Sequence, residues 1–375
     1  MKQRVVIIGS GILGATAAYY LAEAGYPVTI VEKGDFACGA SGANGAQISL
    51  IDREEPWHMA AALETLEIYR NLSQTVDLEY QETGGIVVLE DEEQYEAAQP
   101  ALKIVTGYGV TVEYLSGSAV NRQEPLLDAS AIKGALYCPG EGKLNPFKTT
   151  RAFLEMAQAK GAQLRLHAPV IGFTCSGGCI TGVQTPQGEI PADIVINAAA
   201  SWANHVAGLL GLTVPVDFHR AAAFISQPVA PCIRGPVVGG GMFLKRESMH
   251  MKRHIGSGSN QMACGSVYIA QATEDAPVDS REVTLPGMCL VAKLFLKCFP
   301  SLRDLEIIRA WACVTPFTPD KLPVFGWSQQ VPNFFTLAGF KGAFSTAPAV
   351  GRRVRDTIQN GSIWENGAFS PDRTI

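Results

Sequence analysis

The sequence predicts an α/β chain of two lobes, one of them a doubly wound, Rossmann-like nucleotide domain gathered from separated stretches. Three observations support this. Residues 4–32 read as an apolar strand, a glycine turn, a small-residue helix and a second strand that delivers a carboxylate. An apolar run returns at 193–200 and another at 335–339, far down the chain. The stretches between them carry other patterns, which makes them excursions out of the first domain.

In the opening unit, Gly9 permits the tight turn after the strand, and Gly11 lets backbone N–H groups near a pyrophosphate. Gly14 lets the helix lie close on the sheet. Ile12 and Leu13 open that helix, whose N-terminus faces the phosphates. Glu32 stands where a carboxylate accepts hydrogen bonds from an adenosine ribose, with Lys33 beside it. Lys2, Arg4 and the small residues 15–17 imitate a secretory signal. Glycines interrupt its apolar core, however, and the helix pattern runs on through Tyr19 and Leu21 to Gly25.

Residues 57–76 show helical spacing behind Pro56, 84–89 read as a strand, 90–102 as an acidic helix and 107–115 as a half-buried strand. Another helix spans 145–160. Strand-like runs at 162–167, 170–175 and 179–185 follow, the last two bounded by glycine turns. These patterns place 1–76, 146–212 and 317–375 in the nucleotide domain, and 77–145 and 213–316 in a second domain for substrate or partner. Within the second domain, 232–264 collects Arg234, Lys245, Arg246, His250, Lys252, Arg253 and His254 against one acid, Glu247, with glycines loosening both ends. It reads either as a solvated mobile loop, or as a lid or partner surface that guides an anionic substrate.

The net charge of −5 gives the whole chain no electrostatic reason to bind nucleic acid or an anionic membrane. The apolar stretch 194–216 carries Asn197, Ser201, Asn204 and His205, so no membrane span is expected. Nine cysteines without a C-x-x-C pair, and six scattered histidines, give no metal-ligand pattern. Free thiols in a reducing cytoplasm are the expectation.

After Glu32 comes CGASGANGAQ at 38–47, a small-residue segment with one hydroxyl. Simple NAD dehydrogenases do not need it, whereas flavoproteins holding extended FAD often carry such a segment along the far side of the pyrophosphate. Ser41, Gly42, Asn44, Gly45, Ala46 and Gln47 are its cofactor candidates. Together with WACVTPFTPDKLPVFG at 311–326 and FTLAGFKGAFSTAPAVG at 335–351, it resembles the FAD-dependent D-amino-acid oxidase superfamily. The likeness is nearest to the branch of hydrogen cyanide synthase and the hydroxyproline, proline and opine dehydrogenase flavin subunits.

The resemblance implies a discontinuous FAD-binding domain plus an α+β substrate domain built on an antiparallel sheet. It also implies that the helix from 345 to 358 turns its N-terminus to the flavin, with Gly339, Lys341, Gly342, Ala343, Phe344 and Ser345 near the ring. Val170 would meet the adenine, and Ala198 and Ala199 would flank the adenosine half, in a turn where the family usually has glycine at the position of Ala200. Asp320 would either fix the turn at 318–320 or touch the cofactor. Two departures stand out. Thr315 occupies the place of an arginine that often binds a substrate carboxylate, and Lys341 that of a common histidine. Arg246 and Arg253 are candidates to replace the arginine. Lys341 would contact flavin or substrate, promote reaction with oxygen, or point to solvent.

The implied reaction is hydride transfer from the C–N carbon of an amino acid or N-substituted amino acid to flavin, in one subunit of a multi-chain dehydrogenase. The partners would carry an iron–sulfur centre or second flavin. A self-sufficient glycine or D-amino-acid oxidase, and a flavin subunit without a substrate of its own, are the competing readings.

Overall fold

A computed structural model describes residues 2–53, 55–244, 253–277, 279–362 and 364–374, with the side chains of 253, 254 and 366 outside the description. The chain divides into two units: Met1–Gly42, Pro146–Phe218 and Val314–Ile375 form the first, and Ala43–Asn145 and His219–Cys313 the second.

The first unit is built on six strands in the order Val324–Trp327, Phe334–Ala338, Ile194–Asn197, Val5–Ile8, Val28–Val31, Gln163–Arg165. All neighbours run parallel except the first pair. Val5–Ile8 and Ile194–Asn197 are buried along their whole length, as central parallel strands covered on both faces must be. The helices Ile12–Glu23, Pro146–Ala159 and Ala347–Asn360 pack together. Tyr19 meets Phe153 edge-on at 5.9 Å, and a Cβ on Gly351 would stand 2.8 Å from the Thr16 backbone carbon. Only a glycine at 351 lets these helices approach so closely. The strands Gly172–Ser176, Cys179–Thr185 and Gly188–Pro191 form a separate antiparallel meander.

The second unit carries an eight-stranded sheet ordered Ile307–Phe317, Asp217–Pro228, Ser266–Glu274, Arg253–Gln261, Val237–Gly239, Gly85–Leu89, Gly134–Cys138, Glu113–Leu115. The sheet is mixed: Val237–Gly239 runs parallel to Gly85–Leu89, while the other registered pairs are antiparallel. The helix Leu285–Cys298 lays Val291, Phe295 and Cys298 into the sheet's core beside Ala272 and Ile269.

Several elements differ from expectation. The run 107–115 is a strand only over Glu113–Leu115, because the preceding helix continues to Gly107 and Gly109 turns the chain with φ +77°. The segment 232–264 is not a plain loop. Its described part supplies Val237–Gly239 and Arg253–Gln261 to the sheet, and the glycines at 256 and 258 sit at a register shift in the ladder rather than at a loose end. Arg246 lies outside the described residues, as does the side chain of Arg253.

The boundary between units falls after Gly42 instead of after 76, so Asn44–Gln47 and the helix Pro56–Leu72 belong to the second unit. The physical cause is a buried acid that no local pattern announces. Gln47–Ile48 pairs with Gly142–Lys143, and next to that pair Glu141 Oε1 accepts from Leu50 N (2.6 Å), Ile51 N (2.7 Å) and Ser49 Oγ (3.1 Å). Arg53 is buried beside it. It bonds the Ser49 carbonyl, pairs with Asp52 at 2.9 Å and meets His58 Nε2 at 2.6 Å.

Burial pushes the Glu141 carboxyl up to about 7, against the pull of its backbone donors and helped by Asp52. The folded value lies above the unfolded one, so the stabilisation present below about pH 4.5 is lost as the pH rises through about 7. Glu141→Gln keeps an acceptor oxygen and removes the charge. The melting temperature of the natural protein should therefore fall more steeply than that of the variant between about pH 5 and about pH 8. Identical slopes in parallel thermal melts would contradict this placing of the proton.

Candidate functional site

The first cluster of expected site residues closes on the opening glycine turn. Gly9 has φ +109°, and a Cβ there would lie 2.5 Å from the Ala198 carbonyl oxygen. A Cβ on Gly14 would lie 2.0 Å from the Gly9 carbonyl oxygen. One on Gly11 would stand 2.9 Å from Ser41 Oγ, which accepts from Ile12 N at 3.0 Å. Gly11 therefore makes room for the hydroxyl of the later segment. The helix starts at Ile12 with no side-chain cap from Gly11, so the remaining N–H groups of its first turn, that of Leu13 included, lack an intrahelical acceptor.

Glu32 is buried, and its donors come from the protein. Oε2 accepts from Ser10 N (2.9 Å) and Ser10 Oγ (3.2 Å), and Oε1 accepts from Gly34 N (3.1 Å). The carboxylate is thus positioned by the turn it follows. Lys33 Nζ lies 3.2 Å from the centre of the Trp202 ring, a cation–π contact, and Gly39 comes up against the same ring. Gly42 abuts the Phe147 ring, where a Cβ would be 2.8 Å away. Ala200 adopts φ +51°, the left-handed conformation in which the family resemblance expects glycine. Val170 packs half-buried against the core of this unit, two residues after Ala168, whose N–H donates to the Glu32 carbonyl.

The second cluster, in the same unit, surrounds the last helix. Gly339 has φ +73° and Gly342 φ +60°. A Cβ on Gly339 would press on Thr318 Cγ2 at 2.8 Å. A short turn over Ala343–Ser345, with Phe344 and Ser345 buried, leads into the helix Ala347–Asn360, which has no side-chain cap at its start. Lys341 is exposed, and Thr315 is half-buried in the strand Ile307–Phe317. Asp320 holds its turn: it accepts from Leu322 N and receives Arg373 through both oxygens, at 2.7 and 3.1 Å. Burial opposes its charge, but Arg373 outweighs that and holds the carboxyl below its ordinary range. Arg373 also donates to the carbonyls of Leu322, Pro323 and Ser370, a role no sequence motif signals.

The third cluster lies in the second unit. Asn44 Oδ1 accepts from Ala46 N at 2.8 Å, and Ala46 takes φ +63°. Trp311 Nε1 donates to the Ala43 carbonyl (3.1 Å), Asn260 Nδ2 donates to the Gly45 carbonyl (3.2 Å), and a Cβ on Gly45 would strike the Tyr268 ring at 2.5 Å. Sequence reasoning reached 44–47 but missed Asn260, Tyr268 and Trp311 as the residues that hold the segment. Strand alternation across the ladder, which sets Asn260 opposite Tyr268, is the signal that joins two of them.

The first-turn amides behind Gly11, and a turn in which Gly9, Gly11 and Gly14 leave no room for a Cβ, are a donor set that fits a pyrophosphate and an extended dinucleotide. Among the described residues there is no group of three or more metal-ligating side chains, and no helix is long and apolar enough to cross a membrane.

The chain belongs to the FAD dependent oxidoreductase family, whose model matches residues 4–357. It is 28% identical to an L-proline dehydrogenase from P. horikoshii, and the two structures agree with a TM-score of 0.89 over 99% of this chain and 97% of that one. It is 24% identical to the hydrogen cyanide synthase subunit HcnC of Pseudomonas aeruginosa, over 92% of this chain and 90% of that protein. It is also 26% identical to human mitochondrial dimethylglycine dehydrogenase, over 96% of this chain and 43% of that protein. The chain thus spans less than half the length of this last relative.

Gly9→Ala would force a side chain into a left-handed turn and onto the Ala198 carbonyl. The expected outcome is a loss of about 1–3 kcal/mol of stability in denaturant melts, together with lower FAD content after purification. A variant that melts like the natural protein and keeps its FAD would show that the turn has room to spare.

Proposed function

We propose that this chain oxidises the C–N bond of an amino acid or N-substituted amino acid, as the flavin-bearing subunit of a multi-chain dehydrogenase. The observation that carries the reading is the close-packed glycine turn at Gly9, Gly11 and Gly14 beside Ser41, together with the left-handed turns at Gly339 and Gly342 ahead of the helix Ala347–Asn360, which gives FAD one anchor at each end. The likeness to an L-proline dehydrogenase over nearly the whole of both chains, and to a protein named as a hydrogen cyanide synthase subunit, supports the substrate class and the subunit role.

In this reading the first unit binds FAD and the second carries substrate or partner contacts. Leu13 and Gly14 N–H groups face the pyrophosphate, and Glu32, oriented by Ser10, accepts from the adenosine ribose. Lys33, Val170, Ala198 and Ala199 flank the adenosine half. Gly342–Ser345 approach the cofactor's ring. FAD held there would supply the acceptor for a hydride from the carbon next to the substrate nitrogen. The start of the helix Ala347–Asn360 contributes the positive end of its dipole, which favours negative charge close to it. No proton-abstracting triad is required, because orientation and exclusion of water supply much of the rate. Thr315 offers a hydroxyl where the family resemblance implies an arginine, so substrate recognition does not rest on an ion pair there. Nine free cysteines suit a reducing compartment.

The test is anaerobic titration of the purified yellow protein with glycine, sarcosine, both prolines, hydroxyprolines and opines. At least one should bleach the flavin, and an artificial acceptor should re-oxidise it faster than oxygen does. Rapid oxygen turnover with stoichiometric peroxide would instead make the chain a self-sufficient oxidase, and no bleaching at all would leave it a flavin carrier. Glu32→Ala should lower FAD retention several-fold in gel filtration, since the ribose loses its acceptor and Ser10 its partner. Unchanged occupancy would remove Glu32 from the cofactor site.

A further inference from the structure

Glu32 has more partners than a ribose acceptor leaves room for. A carboxylate offers about four lone-pair positions, and donors among the described residues take all of them. Ser10 N and Ser10 Oγ donate to Oε2 at 2.9 and 3.2 Å, while Gly34 N and the Cys38 thiol donate to Oε1 at 3.1 and 3.6 Å. The two sides differ in access. Ser10 is fully buried behind Oε2, whereas Gly34 and Cys38, on the side of Oε1, are half-buried. They differ also in how easily a donor leaves. Ser10 N and Gly34 N are fixed in the main chain, but a thiol is a weak donor that swings on one side-chain bond. The thiol's place is set by the local chain. Cys38 N donates to the Asp35 carbonyl at 3.3 Å, Ala37 takes φ +55° ahead of it, and a Cβ on Gly34 would stand 3.3 Å from the Cys38 sulfur. All these residues belong to the first unit.

We propose that the Cys38 thiol holds the place of a ribose hydroxyl on Glu32 and gives way when the adenosine half of FAD arrives. Residue 38 thereby sets how tightly this chain retains its cofactor. This rests on the reading of Glu32 as the ribose acceptor and deepens it. One S–H···O bond is exchanged for one O–H···O bond, and the hydroxyl is the better donor, so the exchange favours the ribose. A stronger donor at residue 38 would compete with the ribose, and no donor would leave the position open to it.

The experiment titrates ADP, and 2′,3′-dideoxy-ADP without the ribose hydroxyls, into the full chain freed of FAD, followed by calorimetry. The natural protein should prefer ADP. Cys38→Ala removes the competing donor and should tighten ADP about threefold; Cys38→Ser supplies a stronger donor and should weaken it about threefold. Both variants should bind dideoxy-ADP within about 1.5-fold of the natural protein. ADP shifts of the same sign in the two variants, no shift in either, or equal shifts for both nucleotides would reduce Cys38 to packing and overturn the proposal. Glu32→Ala is run alongside and should lose the preference for ADP. A preference lost there but unmoved by both Cys38 variants refutes the role of Cys38 alone. A natural protein that binds the two nucleotides equally refutes the ribose role of Glu32 with it.

Discussion

The close approach at Gly9 is the constraint on which the first unit depends. At this one point the end of the strand Val5–Ile8 turns into the helix Ile12–Glu23 within van der Waals reach of the strand Ile194–Asn197. The Ala198 carbonyl fills the space a side chain would need, and Gly14 presses on the Gly9 carbonyl from the helix side. That geometry brings Ser41 Oγ onto Ile12 N and Ser10 onto Glu32. Residues from four separated stretches therefore meet because Gly9, Gly11 and Gly14 carry no side chains, and the open helix N-terminus is a by-product of the same turn.

The second unit depends on a different interaction, the burial of Glu141 against the backbone at 50 and 51. One carboxylate oxygen collects two short amide bonds and a hydroxyl, which ties the chain leaving the 43–47 segment to the unit that also presents Asn260, Tyr268 and Trp311. Such a group is expensive to charge in place, and its raised pKa records that expense. Placing the small-residue segment on a sheet face with two aromatic rings and a carboxamide gives it a fixed shape that its own glycines could not impose.

Legibility in the sequence followed the range of the interactions. The opening strand, turn and helix, and the helix behind Pro56, were readable because their signals are local: apolar periodicity, glycine at turns, proline at a helix start. The donors that the folded chain gives Glu32, Ser10 and Gly34, were not readable from its spacing. The 232–264 stretch misled because its charges and glycines look solvated. A strand within a broad sheet is stabilised by its neighbours at Val237–Gly239 and Ser266–Glu274 rather than by its own composition. Arg373 escaped notice for the same reason, since its partner Asp320 lies 53 residues earlier.

By itself the sequence determined the dinucleotide unit, the flavin family and the doubly wound class, because each rests on short runs whose backbone needs are specific and can be read one run at a time. Only the tertiary structure decided where the units divide, what orients Glu32, that Asp320 is held by Arg373, and that Asn260 is buried against the Gly45 carbonyl. These are outcomes of burial and of partners brought together from far apart, and the free energy of a buried polar group depends on its surroundings rather than on its neighbours in sequence.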